Sequence, residues 1–183
     1  MIQKMKSFTY TLPKTTEIIQ NENILTIKTK LGELKLKFNN KLKNLKNIKI
    51  TENENFKYLE INKIFGKKQY IQTYKQILEN NIQGITTGFI KKIQLSGIGY
   101  KANIKNKILK LKVGFNHPIK KQIPEKIKIK ILKNNTILIF GINKNEVNTY
   151  AALLKDIQQI EPYKGKGIKD ENQIIKLKEG KKK

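Results

Sequence analysis

The sequence predicts an α+β fold: two similar domains from an internal duplication, each a small, mostly antiparallel sheet packed on a helix, followed by a basic tail. Three observations carry that prediction. Short runs alternate isoleucine or leucine with lysine, the period of a half-buried strand. Two longer stretches repeat apolar residues at three and four, the period of an amphipathic helix. Four matching words recur in the same order in both halves, at offsets between about 75 and 79 positions.

Residues 1–12 form a short basic lead, with a strand-like pattern from near Thr9, and Pro13 opens the first ordered piece. Glu17-Ile18-Ile19 and Ile24-Leu25-Thr26-Ile27 read as strands joined by the turn chemistry of Asn21-Glu22-Asn23. After Gly32, Leu34-Lys35-Leu36-Lys37-Phe38 alternates strictly, its lysines on the wet face. Residues 39–47 are polar and lysine-rich, and Ile48-Lys49-Ile50 and Tyr58-Leu59-Glu60-Ile61 are two further strands. Over 67–82 the period changes: Tyr70, Ile71, Tyr74, Ile77, Leu78 and Ile82 make one helix face, and Gln83-Gly84 is expected to end it. Phe89 to Ile104 reads as extended, bent at Gly97 and Gly99. Leu109 to Val113 alternates, residues 114–118 form a loop, and Pro124 precedes the alternating Ile127 to Ile131. Asn134-Asn135 turns into the apolar Ile137 to Phe140. Val147, Tyr150, Ala151, Leu154 and Ile157 then space as a second helix over 145–158, with Pro162 as its stop.

The duplication aligns Leu34–Phe38 with Leu109–Val113, Ile48–Ile50 with Ile127–Ile129, Tyr58–Ile61 with Ile137–Phe140, and Ile71–Tyr74 with Val147–Tyr150. A chance recurrence of Ile/Lys words explains one match, but not four in order. The expected domains are 1–83, 84–170 as the main binding unit, and a lysine-rich tail at 171–183.

Charge and composition narrow the function. The chain has 39 basic residues, all lysine, against 14 acidic ones, a formal net charge of +25. Such a field calls for a polyanionic partner, nucleic acid or an anionic surface. No apolar run approaches the ~18–20 residues that span a bilayer, and the helix at 145–158 lacks the pattern of a membrane-surface helix, so no membrane is expected. Without cysteine and with one histidine, disulfides, thiolate zinc sites and histidine triads lack material. Ser96 has no elbow context, and Lys164-Gly165-Lys166-Gly167 lacks the spacing of a nucleotide-binding loop. The acidic residues are scattered. No enzyme, metal site or cofactor is expected. The Lys, Asn and Ile bias follows from AT-rich coding, as in organellar genomes or reduced bacteria. No secretory signal or long transit segment is read at the start, so a protein working in an organelle is expected to be made there or trimmed.

The binding candidates cluster in the second half. Glu161-Pro162-Tyr163-Lys164-Gly165-Lys166-Gly167-Ile168-Lys169 sets an aromatic ring beside ammonium groups, with glycines that let backbone N–H groups approach a phosphate. Taken alone, Gly-Lys-Gly also fits a solvated turn. Lys91, Lys92 and Lys101, near Gly97, Gly99 and Tyr100, join it, as do Lys155 on the second helix and Lys176, Lys178 and Lys181–Lys183 in the tail. His117 reads first as a hydrogen-bonding surface residue. With no guanidinium forks, contact is expected as point charge to phosphate, reading shape more than base sequence.

Four segments resemble large-subunit ribosomal protein six of bacterial and organellar type. They are Glu161 to Ile168; Gly88-Phe89-Ile90-Lys91-Lys92-Ile93-Gln94-Leu95 with Gly97-Ile98-Gly99-Tyr100; Gly114-Phe115-Asn116-His117-Pro118 with Ile123-Pro124; and Lys178-Glu179-Gly180-Lys181-Lys182-Lys183. Leu12-Pro13 and Leu31-Gly32-Glu33-Leu34 extend the resemblance through the first half. It implies two similar α/β domains and a structural constituent of the large subunit. It further implies binding to large-subunit rRNA near the sarcin–ricin loop and stalk base, among neighbouring ribosomal proteins and close to translation factors. Carried over, the binding residues are Tyr163, Lys164, Gly165, Lys166, Gly167 and Lys169, with Lys155, and less directly the loop at His117 and Pro118. The sequence departs from the family pattern at Gln158, Gln159, Ile160 and Asp170. The expected location is a mitochondrion, with a plastid or an AT-rich bacterium as alternatives. The rival reading is a free-standing nucleic-acid chaperone or single-strand binder, which would expose stacking aromatics on a sheet face.

Overall fold

A computed structural model of the chain describes residues 3–4, 8–13, 15–21, 24–29, 31–37, 48–52, 56–61, 65–66, 68–132 and 135–180. The polar stretch 39–47 and Lys181–Lys183 lie outside the described residues. The chain divides into two compact units, Met1–Gly88 and Phe89–Lys183.

In the first unit the elements are β1 (Gln3–Lys4), β2 (Phe8–Pro13), β3 (Glu17–Asn21), β4 (Ile24–Thr29), β5 (Gly32–Lys37), β6 (Ile48–Glu52), β7 (Phe56–Ile61), β8 (Phe65–Gly66) and α1 (Lys68–Thr86). One antiparallel sheet runs β2-β7-β6, another is the meander β3-β4-β5, and β1 pairs with β8. The described part of the basic lead forms strands, β1 and β2, and in β2 Tyr10 and Leu12 sit two apart and turn the same way. Leu12, Leu25, Ile27 and Leu59 are fully buried, with Leu78, Ile82 and Ile85 of α1 beside them in the core. Each such Leu or Ile contributes roughly 1.5–3 kcal/mol relative to exposure. Ile77, placed on the apolar face by spacing, is exposed.

Helix α1 does not end at Gly84. Gly84 is buried inside it, and the Thr87 and Gly88 N–H groups both donate to the Gln83 carbonyl, at 2.9 and 3.2 Å. Gly88, at φ 73°, is the residue that turns the chain away. A glycine near a helix end signals a cap only if the chain needs positive φ there, and Gly84 does not.

The second unit contains β9 (Phe89–Ser96), β10 (Lys101–Lys105), β11 (Ile108–Lys112), β12 (Ile119–Gln122), β13 (Ile127–Ile131), β14 (Thr136–Gly141), α2 (Lys144–Ile157) and β15 (Gly167–Asp170). A four-stranded antiparallel sheet runs β13-β14-β9-β15, and a meander runs β10-β11-β12. Helix α2 packs on β9, β14 and β15. Its Val147, Tyr150, Ala151 and Leu154 share one core with Ile93, Leu95, Ile137, Ile139 and Ile168, and Ile157 packs at the margin. Asn143 caps α2 by accepting the Asn145 N–H at 3.0 Å. The helix stops at Ile157, short of Pro162, where Gln158 turns extended and its carbonyl accepts the Ile168 N–H at 3.0 Å.

Both units repeat one plan: a strand, a three-stranded meander, two strands that pair with each other, the second also pairing with the first strand, then a helix. The order β2-β7-β6 answers β9-β14-β13, and β3-β4-β5 answers β10-β11-β12. Three of the four word matches hold in that frame. The fourth is one strand out: residues 34–37 fall on β5, an edge of its meander, with Phe38 outside the described residues, whereas residues 109–112 fall on β11, the middle strand. The true counterparts of Leu109 and Leu111 are Leu25 and Ile27, all four fully buried. Alternation reports one buried face, not a strand's place in its sheet. Strands β12 and β15 were not legible as strands, since Ile119-Lys120-Lys121-Gln122 and Gly167-Ile168-Lys169-Asp170 each carry a single large apolar residue.

Burial, reinforced by the Glu79 carboxylate, pushes the Tyr10 hydroxyl up to about 12. A raised phenol disfavours ionisation in the folded state. Its contribution to stability is whole below about pH 10 and is lost as pH rises through about 12. A titration followed at 295 nm is expected to show a late one-tyrosine step that Tyr10→Phe removes; an unchanged late step would contradict the burial.

Candidate nucleic-acid interface

Between α2 and β15 the chain makes a short excursion whose base is pinned twice. The Ile168 N–H donates to Gln158, and Glu161 both donates to the Lys166 carbonyl and accepts the Gly165 N–H, each of these two at 2.8 Å. Held by these bonds, Tyr163, Lys164 and Lys166 project as exposed side chains, Tyr163 keeping 55% of its surface. The tail folds back on the excursion: the Lys178 N–H donates to the Pro162 carbonyl at 3.0 Å. That bond brings the tail backbone against the loop at Pro162, and Lys176 and Lys178 are both exposed. An open hollow of about 630 Å³ lies between loop and tail, lined by Ser96, Lys164, Gly165, Lys169, Ile174 and Leu177 among others.

The glycines act differently from the expectation. The Gly165 N–H is consumed by Glu161, so it does not point at an outside anion. Gly167 is buried at φ 146°, and a Cβ there would stand 2.7 Å from the Gln159 carbonyl oxygen and the Ile160 Cα. The lack of a side chain permits this close backbone approach.

Strand parity sorts the remaining lysines. Along β9, Lys91, Ile93 and Leu95 point to the side covered by α2, while Lys92 and Gln94 point to the other. On β15, Ile168 and Asp170 share the α2 side, and Lys169 lies opposite Gln94 on the other. Asp170 Oδ2 therefore receives Lys155 Nζ from α2 at 3.0 Å and Lys91 Nζ at 3.5 Å. Burial raises the Asp170 carboxyl, but the hydrogen bond and charge of Lys155, then Lys91, outweigh it and hold the group below its ordinary value. Lys92 pairs with Glu171 at 3.1 Å. Lys101 is exposed at the start of β10, in the meander, and His117 is exposed in the loop before β12. Neither belongs to the loop-and-tail group. Asp170 and Glu171 are the residues that sequence reasoning missed. Their signal was two adjacent acids directly after a lysine- and glycine-rich loop, in a chain poor in acids.

Among the described residues no group of three or more His, Cys, Asp or Glu could hold a metal, and no helix is long and apolar enough to cross a membrane. The described residues form a duplicated α+β scaffold that displays a cationic loop. Residues 96–171 match the family described as Ribosomal protein L6. The chain is 42% identical to large ribosomal subunit protein uL6m of Reclinomonas americana, over 94% of this chain and 95% of that protein. It is 37% identical to uL6 of Mycoplasma genitalium, over 92% and 90%, and 34% identical to uL6c of Arabidopsis thaliana, over 93% and 74%. The chain belongs to this uL6 family of large-subunit ribosomal proteins.

Gly167→Ala is expected to destabilise the second unit by about 2 kcal/mol, from overpacking and backbone strain; a denaturant melt at wild-type midpoint would refute the packing role. Asp170 has a depressed carboxyl, so its stabilisation is present above the ordinary carboxylate range and is lost as pH falls through its folded value. The stability gap between wild type and Asp170→Asn is expected to shrink in acid melts below about pH 4. A gap independent of pH would mean that the carboxylate charge is not its source.

Proposed function

We propose that this chain is built into the large ribosomal subunit by binding large-subunit rRNA, with the second unit as the main binding surface. The observation that carries the reading is the pinned excursion at 161–166. It presents Tyr163, Lys164 and Lys166 outward, with Lys176 and Lys178 exposed on the tail that meets the loop at Pro162. Ammonium groups on a backbone-fixed loop suit phosphates of a folded RNA, and an exposed tyrosine supplies a stacking or hydrogen-bonding partner. The hollow between loop and tail offers a recess in which a phosphate–sugar segment meets Lys164 and Lys169. The family resemblance supports the finer placement, near the sarcin–ricin loop and stalk base, beside neighbouring ribosomal proteins and close to bound translation factors. A mitochondrial location draws support from the AT-rich residue bias and from the mitochondrial relative, with plastid and bacterial relatives keeping the alternatives in view.

The rival, a free single-strand binder, needs aromatics displayed across a sheet. Tyr100 and Tyr150 are instead buried in the core of the second unit, and Phe89 packs against it. Replacing Lys164 and Lys166 together by alanine is expected to weaken binding to an rRNA transcript spanning that region. It should also flatten the log–log salt dependence by ~0.7–0.9 for each phosphate that is no longer neutralised. A slope equal to wild type would remove those lysines from the interface. Co-sedimentation with large subunits separates the two readings, because the rival predicts mostly free protein.

A further inference from the structure

Acidic residues are scarce in this chain, 14 against 39 lysines, and two of them stand together where β15 leaves the sheet. Asp170 Oδ2 holds two ammonium groups, Lys155 Nζ at 3.0 Å and Lys91 Nζ at 3.5 Å. These come from α2 and from β9, so the carboxylate ties three elements at one point. Lys91, Lys155 and Asp170 are each only partly exposed, with side-chain accessibilities of 38%, 33% and 26%. Glu171 takes Lys92 at 3.1 Å, and its own N–H donates to the Lys92 carbonyl at 3.2 Å.

We infer that Asp170, seconded by Glu171, is a positioning residue that withholds Lys91 and Lys155 from RNA and leaves phosphate contact to the lysines of the loop and tail. The inference rests on the reading that the second unit binds RNA through phosphates. An ammonium already held by a half-buried carboxylate gains little by exchanging it for a phosphate. The exchange would also strip a carboxylate of its partners beside a polyanion. The pair of acids thus acts in two ways. It fixes β15, and with it the base of the 161–166 excursion, and it places negative charge where phosphates must not sit, which sets the register of the RNA on the loop.

The test measures binding of the full chain to an rRNA transcript spanning the sarcin–ricin loop and stalk base across a potassium chloride series. Lys91→Gln and Lys155→Gln are expected to keep the wild-type log–log slope. Asp170→Asn is expected to steepen it by up to ~0.7–0.9 per lysine released, and Asp170→Glu to restore it. A flattened slope in Lys91→Gln or Lys155→Gln overturns the inference while leaving the RNA-binding reading intact. A wild-type chain with no salt-dependent binding sinks that reading instead. Acetylation footprinting of the wild-type chain needs no variant to fold: RNA should protect Lys164 and Lys166 and leave Lys91 and Lys155 unchanged. Protection of Lys155 or Lys91 by RNA would overturn the inference by itself.

Discussion

The pairing of β15 with β9 governs the candidate site. Four residues return from the excursion after α2 and add themselves to the sheet edge, Ile168 opposite Leu95 and Asp170 opposite Ile93. Ile168 is buried among Leu95, Ile93 and the α2 side chains. Its N–H reaches back to the last turn of the helix. A chain that leaves a helix end and returns to within one hydrogen bond of it must loop outward in between, and residues 159–166 are that loop. Gly167 makes the return possible because the backbone of Gln159 and Ile160 occupies the space a side chain would need. Hydrophobic burial of one isoleucine and the absence of one Cβ thus determine where Tyr163, Lys164 and Lys166 are displayed.

Electrostatics then divides what burial arranges. A chain of net charge +25 carries repulsion throughout, and a compact unit tolerates it by alternation and by pairing. Alternation along β9 sends Lys91 and Lys92 to opposite sides of the sheet. Pairing then holds Lys91 and Lys155 on Asp170 and Lys92 on Glu171. What remains open on this edge is the group at the loop and tail, held by backbone bonds rather than by ion pairs. The cationic surface is therefore sorted, with some ammonium groups engaged by carboxylates and others left exposed.

Much of the site was legible before any fold was known. Tyr163, Lys164 and Lys166 announce themselves by an aromatic ring and charges between glycines. The roles of Gly165 and Gly167 were not legible, because their backbone partners, Glu161 and Gln159, are set by how the excursion closes. Lys91 and Lys155 looked equivalent to Lys164 as charges in a basic stretch. They differ in being half-buried on β9 and α2 with a carboxylate within reach, and that carboxylate stands 79 and 15 positions away in the chain. Lys101 was a candidate through the neighbouring glycines and Tyr100, and His117 through the family resemblance; both stand in the meander, Lys101 opening β10 and His117 between β11 and β12.

The sequence by itself determined the α+β class, the doubled plan, the buried face of the second helix and the lack of material for thiol or histidine chemistry. These follow from period and composition, which are local properties that each residue carries wherever the chain goes. Only the tertiary structure decided that β5 is an edge while β11 is central, that Gly167–Asp170 is a strand, and which lysines are engaged. Strand neighbours and charge partners are chosen among residues far apart in the chain, by burial and Coulomb energies that exist only once those residues meet.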